Sequence, residues 1–130
     1  MSAFTVELGD YPGELANLCE AMASSGVNLL LCAIAHGGSG AAAFIADVEA
    51  AAQAVLAQAG IGYLLLRPAV TVRMANQPGA GAAAFRKLAE AGVNVELFLP
   101  VRISEEFFAV ICADGAAAAE GALGDQVISR

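Results

Sequence analysis

From Ala3 to Leu8, apolar residues alternate with others, with Phe4, Val6 and Leu8 on one side of the alternation. That period of two predicts a strand. The period then lengthens: Leu15, Leu18, Cys19 and Met22 recur at helical spacing and predict a helix with one buried face. Asp10, Tyr11, Pro12 and Gly13 make the turn between the two. Pro12 and Gly13 open the helix, because proline fits a first helical turn without losing a needed donor. Ser24, Ser25 and Gly26 close it, Gly26 being suited to the left-handed position after a helix. Asn28 to His36 is an apolar run of strand length, Gly37 to Gly40 a flexible turn, and Ala41 to Asp47 a returning strand. Val48 to Ala59 reads as a helix with Val48, Ala51, Ala52 and Val55 on one face, and Gly60 stops it. Ile61 to Arg67 is a fourth strand bounded by Pro68. The order is β-α-β-β-α-β.

The same order then returns. Ala69 to Ala75 reads as a strand, Gly79 to Ala91 as a helix, Asn94 to Val101 as a strand and Arg102 to Glu106 as a hairpin turn, one residue longer than its counterpart. Phe107 to Ala113, a helix from Gly115 to Leu123 and a short strand from Gln126 to Arg130 complete it. Thr5, Val6, Pro12, Gly13, Ala16, Ala23, Gly26, Val27 and Asn28 meet identical residues 66 positions further on. A duplicated supersecondary unit accounts for this, with residues 1–67 as the first copy and 68–130 as the second. Each copy is small enough to be marginal alone, so a shared core is expected. The fold class is α+β: each unit forms a four-stranded antiparallel sheet with two helices on one face. Asp47 and Asp114, at matching strand-to-helix junctions, read as helix N-caps.

Composition narrows the function. The net charge is −7 and the six basic residues are scattered, with only Arg86 and Lys87 adjacent. Nucleic acid is therefore not an expected partner, since phosphate binding needs clustered cations. Apolar residues make up 58% of the chain, yet no apolar run approaches the ~18 residues of a membrane span. The excess points to strands covered on both faces or to a subunit interface. Both alternating sets of Asn28 to Ala35 are apolar, which leads to the expectation of a homodimer or a partner protein there. Cys19, Cys32 and Cys112 have no paired spacing and read as small buried apolar residues in a reducing compartment. No basic segment followed by an apolar one opens the chain, so a cytoplasmic location is expected. His36 is the only histidine, which supports neither a histidine metal site nor a catalytic triad. No cofactor motif is present: Gly37 to Gly40 lacks the spacing and lysine of a phosphate loop.

The segment with chemical potential is the turn before each first helix. A Pro-Gly turn lets backbone approach closely and leaves the first helical N–H groups pointing outward. Those donors and the helix dipole favour an anion such as a carboxylate. Asn28 and Asn94 are expected beside the turn, each offering a donor and an acceptor. Asp10, Tyr11, Pro12, Gly13, Glu14 and Leu15 with Gly26, Val27 and Asn28, and Asn76, Gln77, Pro78 and Gly79 with Gly92, Val93 and Asn94, resemble the ACT domain family. The resemblance covers nearly the whole chain as a tandem pair. It implies two ferredoxin-like units and a non-enzymatic, free-standing regulator that binds a small-molecule effector, usually an amino acid, where two units meet, and that adjusts a partner enzyme. Carried over by position, the ligand-facing residues are Asp10 to Leu15 with Asn28 and Leu29, and Asn76, Gln77, Pro78, Gly79 and Ala80 with Asn94 and Val95.

Plainer readings stand beside these. Asp10 also suits an Asx-turn that closes on its own backbone, and Asn28 and Asn94 suit local bonding after a helix-stopping glycine. The leucine at position 15 becomes Gly81 in the second copy, at a cost of ~1 kcal/mol of helix stability relative to alanine. Asp10 becomes Asn76, so the two copies differ in charge. A ligand-free docking module is the alternative function.

Overall fold

The computed structural model describes residues 1–129. The element order is β1 (Ala3–Gly9), α1 (Glu14–Ser24), β2 (Leu29–His36), β3 (Ser39–Ala46), α2 (Glu49–Ala59), β4 (Tyr63–Leu66), β5 (Ala69–Ala75), α3 (Ala80–Glu90), β6 (Val95–Ile103), β7 (Glu106–Ala113), α4 (Ala116–Leu123), a short 3-10 turn at Gly124–Gln126, and β8 (Val127–Ser129). The expected last strand is therefore shorter than Gln126 to Arg130, and Arg130 lies outside the described residues. The strands form two sheets, ordered β2-β3-β1-β4 and β6-β7-β5-β8. Each is the sheet of a βαββαβ ferredoxin-like unit. Two compact units result, Ser2–Leu65 and a second that runs from Leu66 onward and includes Met1. Met1 joins the second through its carbonyl, which accepts the Ala69 N–H at 2.9 Å.

In unit one the helix-facing side of β1 carries Phe4 and Val6, and β3 adds Ala42, Phe44 and Ala46. Phe4 and Phe44 are paired across the ladder and stack at 5.0 Å between centroids. Leu18 and Met22 of α1 and Ala52, Val55 and Leu56 of α2 close over them. Full burial of a side chain such as Leu18 or Leu56 contributes about 1.5–3 kcal/mol. Unit two repeats the scheme with Val70, Val72, Leu88, Ile111 and Leu123.

Several sequence expectations need correction. The buried stripe of α1 is Leu18 and Met22; Leu15 and Cys19 are exposed. Cys32 is exposed as well, because its strand lies at the sheet edge, and only Cys112 is the buried thiol expected of all three. The extra residue of the second copy does not lengthen the hairpin turn. Two bulges in β6, between Val95 and Leu97 and between Pro100 and Arg102, add two residues, three residues separate the paired Ile103 and Phe107 where four separate Ala35 and Gly40, and the net gain is one; β6 runs on to Ile103. Asp47 and Asp114 cap no helix. The Asn28 N–H donates to Asp47 Oδ1 (2.9 Å) while the Asp47 N–H donates to the Asn28 carbonyl (3.1 Å). Asn94 and Asp114 repeat this at 2.8 and 3.1 Å. Each pair locks the open end of a strand ladder, where the backbone donor would otherwise go unmet.

Candidate functional site

Gly13 and Gly79 are the N-cap residues of α1 and α3, with φ of 95° and 91°. A side chain at that φ is strained, so glycine is what permits the tight turn into each helix. Glycine also brings no side chain to cap with, and no side-chain hydrogen bond caps either helix start. No N-cap side chain therefore bonds the first-turn amides of α1.

The turn of unit one is assembled from Gly9, Asp10, Tyr11 and Glu14. The Gly9 N–H donates to Glu14 Oε1 at 2.8 Å. The Tyr11 hydroxyl bonds the same carboxylate, which holds the phenol above its usual pKa. A Cβ at Gly9 would collide with the Tyr11 ring and the Glu14 carboxylate. Asp10 Oδ2 accepts the Gly38 N–H at 3.1 Å, tying the turn to the β2–β3 hairpin. The opposite wall is Ala33, Ile34 and Ala35 of β2. Between them lies an open cleft of about 430 Å³, reached by Leu8, Pro12 and Leu15 as well. Its charged side chains are Asp10 and Glu14.

Unit two has none of that trio: Ala75, Gln77 and Ala80 stand where Gly9, Tyr11 and Glu14 stand in unit one. Its turn is anchored by donors instead. Asn76 Nδ2 donates to the Ser104 carbonyl (2.6 Å) and the Asn76 N–H to the Glu105 carbonyl (3.1 Å). The Asp10 to Asn76 exchange thus follows the polarity of the hairpin group that each side chain meets. Asn76, Gln77, Pro78 and Gly79 are exposed and Ala80 is half-buried.

Asn28 is not beside the turn. Gly9 pairs with Ser39 at one end of the sheet, whereas Leu29 pairs with Ala46 and Asn28 meets Asp47 at the other. The eight residues of β2 separate the two ends by about 25 Å. Leu29 and Val95 pack against their cores at the same far ends as Asn28 and Asn94. The expectation erred because a strand reached through a crossover helix runs parallel to the first. Its start therefore lies opposite the turn.

A second, larger cavity of about 660 Å³ lies along β1. It is lined by Glu7, Asn17, Leu18 and the 60–64 segment, and shares Leu8 and Glu14 with the cleft. It contains none of the residues Asp10 to Gly13, and nothing in the sequence pattern announced it. Among the described residues no group of three His, Cys, Asp or Glu is placed to hold a metal, and no helix is long and apolar enough to cross a membrane.

No protein-family model and no curated protein matches the chain. Solved structures do match along its length. Protein BT0572 from Bacteroides thetaiotaomicron superimposes with a TM-score of 0.83 at 20% identity, covering 98% of this chain and 91% of that one. The ligand-free regulatory subunit of aspartate kinase from Thermus thermophilus gives 0.72 at 20% identity, covering 96% and 91%. The regulatory subunit of aspartate kinase from Thermus flavus gives 0.66 at 23%, covering 94% and 88%. At these identities the likeness establishes the fold alone: two ferredoxin-like βαββαβ units in one chain.

Proposed function

We propose that the chain is an ACT-type regulatory protein that binds a free amino acid in the cleft of unit one and reports its level to a partner enzyme. The observation that carries this reading is the cleft, where uncapped first-turn amides of α1 meet the acidic side chains Asp10 and Glu14. Amide donors suit a carboxylate and the acids suit an ammonium, so a zwitterion satisfies both. The fold shared with regulatory subunits of aspartate kinase supports the same assignment. Regulation follows from linkage: a ligand that binds one arrangement of the assembly more tightly shifts the population toward it. The test is a thermal-shift panel of the amino acids at millimolar concentration. A ligand at 100 times its Kd adds about 2.7 kcal/mol of stability. An upward shift with one or a few amino acids is expected, and no shift with any of them would remove the sensor reading.

A docking role is favoured by one separate observation. β2 is an edge strand that exposes Leu30 (47%) and Ile34 (75%) together with Cys32. An apolar edge of this kind is a template for pairing, and a homodimer or an enzyme-bound state is its expected use. Sedimentation showing a dilute monomer that retrieves no enzyme would remove it.

A further inference from the structure

We infer that the chain holds one ligand per copy, in unit one alone, and that this ligand is an amino acid with an uncharged aliphatic side chain. This rests on the sensor reading above and goes on to name the ligand class and the unit that binds it. The two units differ in room. Gly40 pairs with Leu8 and Ala35, beside the cleft. The same ladder position in unit two is Phe107, paired with Met74 and Ile103. Leu31, opposite Phe44, corresponds to Phe98, opposite Ile111. Cys19 on α1 corresponds to Phe85 on α3. The three phenylalanines pack as one ladder: Phe85 meets Phe98 edge-on at 5.1 Å and Phe98 stacks on Phe107 at 5.7 Å. Rings thus occupy in unit two the positions that Gly40, Leu31 and Cys19 hold in unit one.

Charge narrows the ligand further. The first 66 residues contain no lysine or arginine. A ligand of net negative charge, such as a dicarboxylate, a phosphate or a 2-oxo acid, meets no lysine or arginine in the lining of the cleft and faces Asp10 and Glu14. The two carboxylates favour a ligand that carries an ammonium group. Leu8, Pro12, Leu15, Ala33 and Ile34 offer an apolar surface to the ligand's side chain.

The test is a heteronuclear NMR titration of the intact chain with leucine, isoleucine, valine, lysine, aspartate and 4-methyl-2-oxopentanoate. Saturable shifts of the Gly9–Ala16 and Ala33–Ala35 amides with the aliphatic amino acids are expected. Lysine, aspartate and the oxo acid should bind at least tenfold more weakly, and the Gln77–Gly81 amides should not move. Leu15→Asp, on an exposed helical position, and Ala33→Phe, on the edge strand, should each weaken binding more than tenfold while the spectrum stays dispersed. Equal saturation of the second turn, tighter binding of lysine or aspartate than of leucine, or undiminished affinity in the folded Leu15→Asp variant would overturn this inference and leave a sensor standing. No saturable shift with any compound would overturn both.

Discussion

The two units share a topology and part company at one corner. In unit one the turn is built from Gly9, Tyr11 and Glu14, the corner beside it is lined by glycine and alanine, and the edge strand is bare and apolar. In unit two the corner holds Phe85, Phe98 and Phe107, and the edge strand carries Glu96, Pro100 and Arg102 and is broken by two bulges. Charges, proline and bulges are the devices that keep an edge from pairing. On the proposed reading, one copy receives the ligand and the other stands as a filled support. The residues that the copies retain, Gly26 with Gly92 and Asn28 with Asn94, close helices and lock ladder ends. Repetition here marks what the backbone needs, and the proposed site lies where the repeats differ.

This contrast can be broken by exchanging its parts. Phe98→Ala removes the middle ring of the ladder and should cost about 3 kcal/mol in denaturant unfolding, against about 2 kcal/mol for Leu31→Ala at the matching position. Equal costs would mean that the ladder adds nothing. Gly40→Phe copies Phe107 into unit one. A Cβ there already stands 3.0 Å from the Ile34 carbonyl and 3.2 Å from Ala35 Cβ, so overpacking of about 2 kcal/mol is expected together with loss of ligand binding. Gly13→Ala and Gly79→Ala should cost about 1–2 kcal/mol each, and equally, since both positions hold the same left-handed geometry. Unequal losses would show that the starts of α1 and α3 are not equivalent.

Thiol chemistry sharpens the comparison. Burial pushes the Cys112 thiol from its ordinary value of 9.0 up to about 11; the Glu96 carboxylate adds to the rise and the N-terminal ammonium opposes it. Because the folded value is raised, the neutral thiol's contribution to stability is full below pH 9 and fades as pH rises to about 11. With a disulfide reagent at pH 8, exposed Cys19 and Cys32 of unit one should react quickly and Cys112 only on unfolding. Three fast thiols would contradict the burial. The smallest effect is expected from Glu106→Gln. Its carboxylate meets Arg73 at 3.1 Å, but both side chains are about half exposed, so the change should stay under about 0.5 kcal/mol.

Element order was legible because the period switches cleanly between two and 3.6, and because the second copy repeated every switch. Strand-to-strand pairing followed from the βαββαβ order. Asp10, Tyr11, Pro12, Glu14 and Leu15, which border the cleft, stand at the turn that the Pro-Gly helix start marks in the sequence. Ala33 to Ala35 were not legible, because the register that brings a strand's end to a turn is a property of the sheet. Asn28 and Asn94 were misplaced by sequence proximity to the helix end, and their backbone partners Asp47 and Asp114 were mistaken for caps. The aromatic plug was present as Phe85, Phe98 and Phe107 in the sequence, but two bulges in β6 hid the alignment that sets Phe98 against Leu31.

Isothermal titration calorimetry with leucine tests the central claim most directly, because it counts sites. The account predicts a saturable isotherm with one leucine per chain, abolished by Leu15→Asp. A stoichiometry of two per chain, or no heat of binding at millimolar ligand, would contradict it.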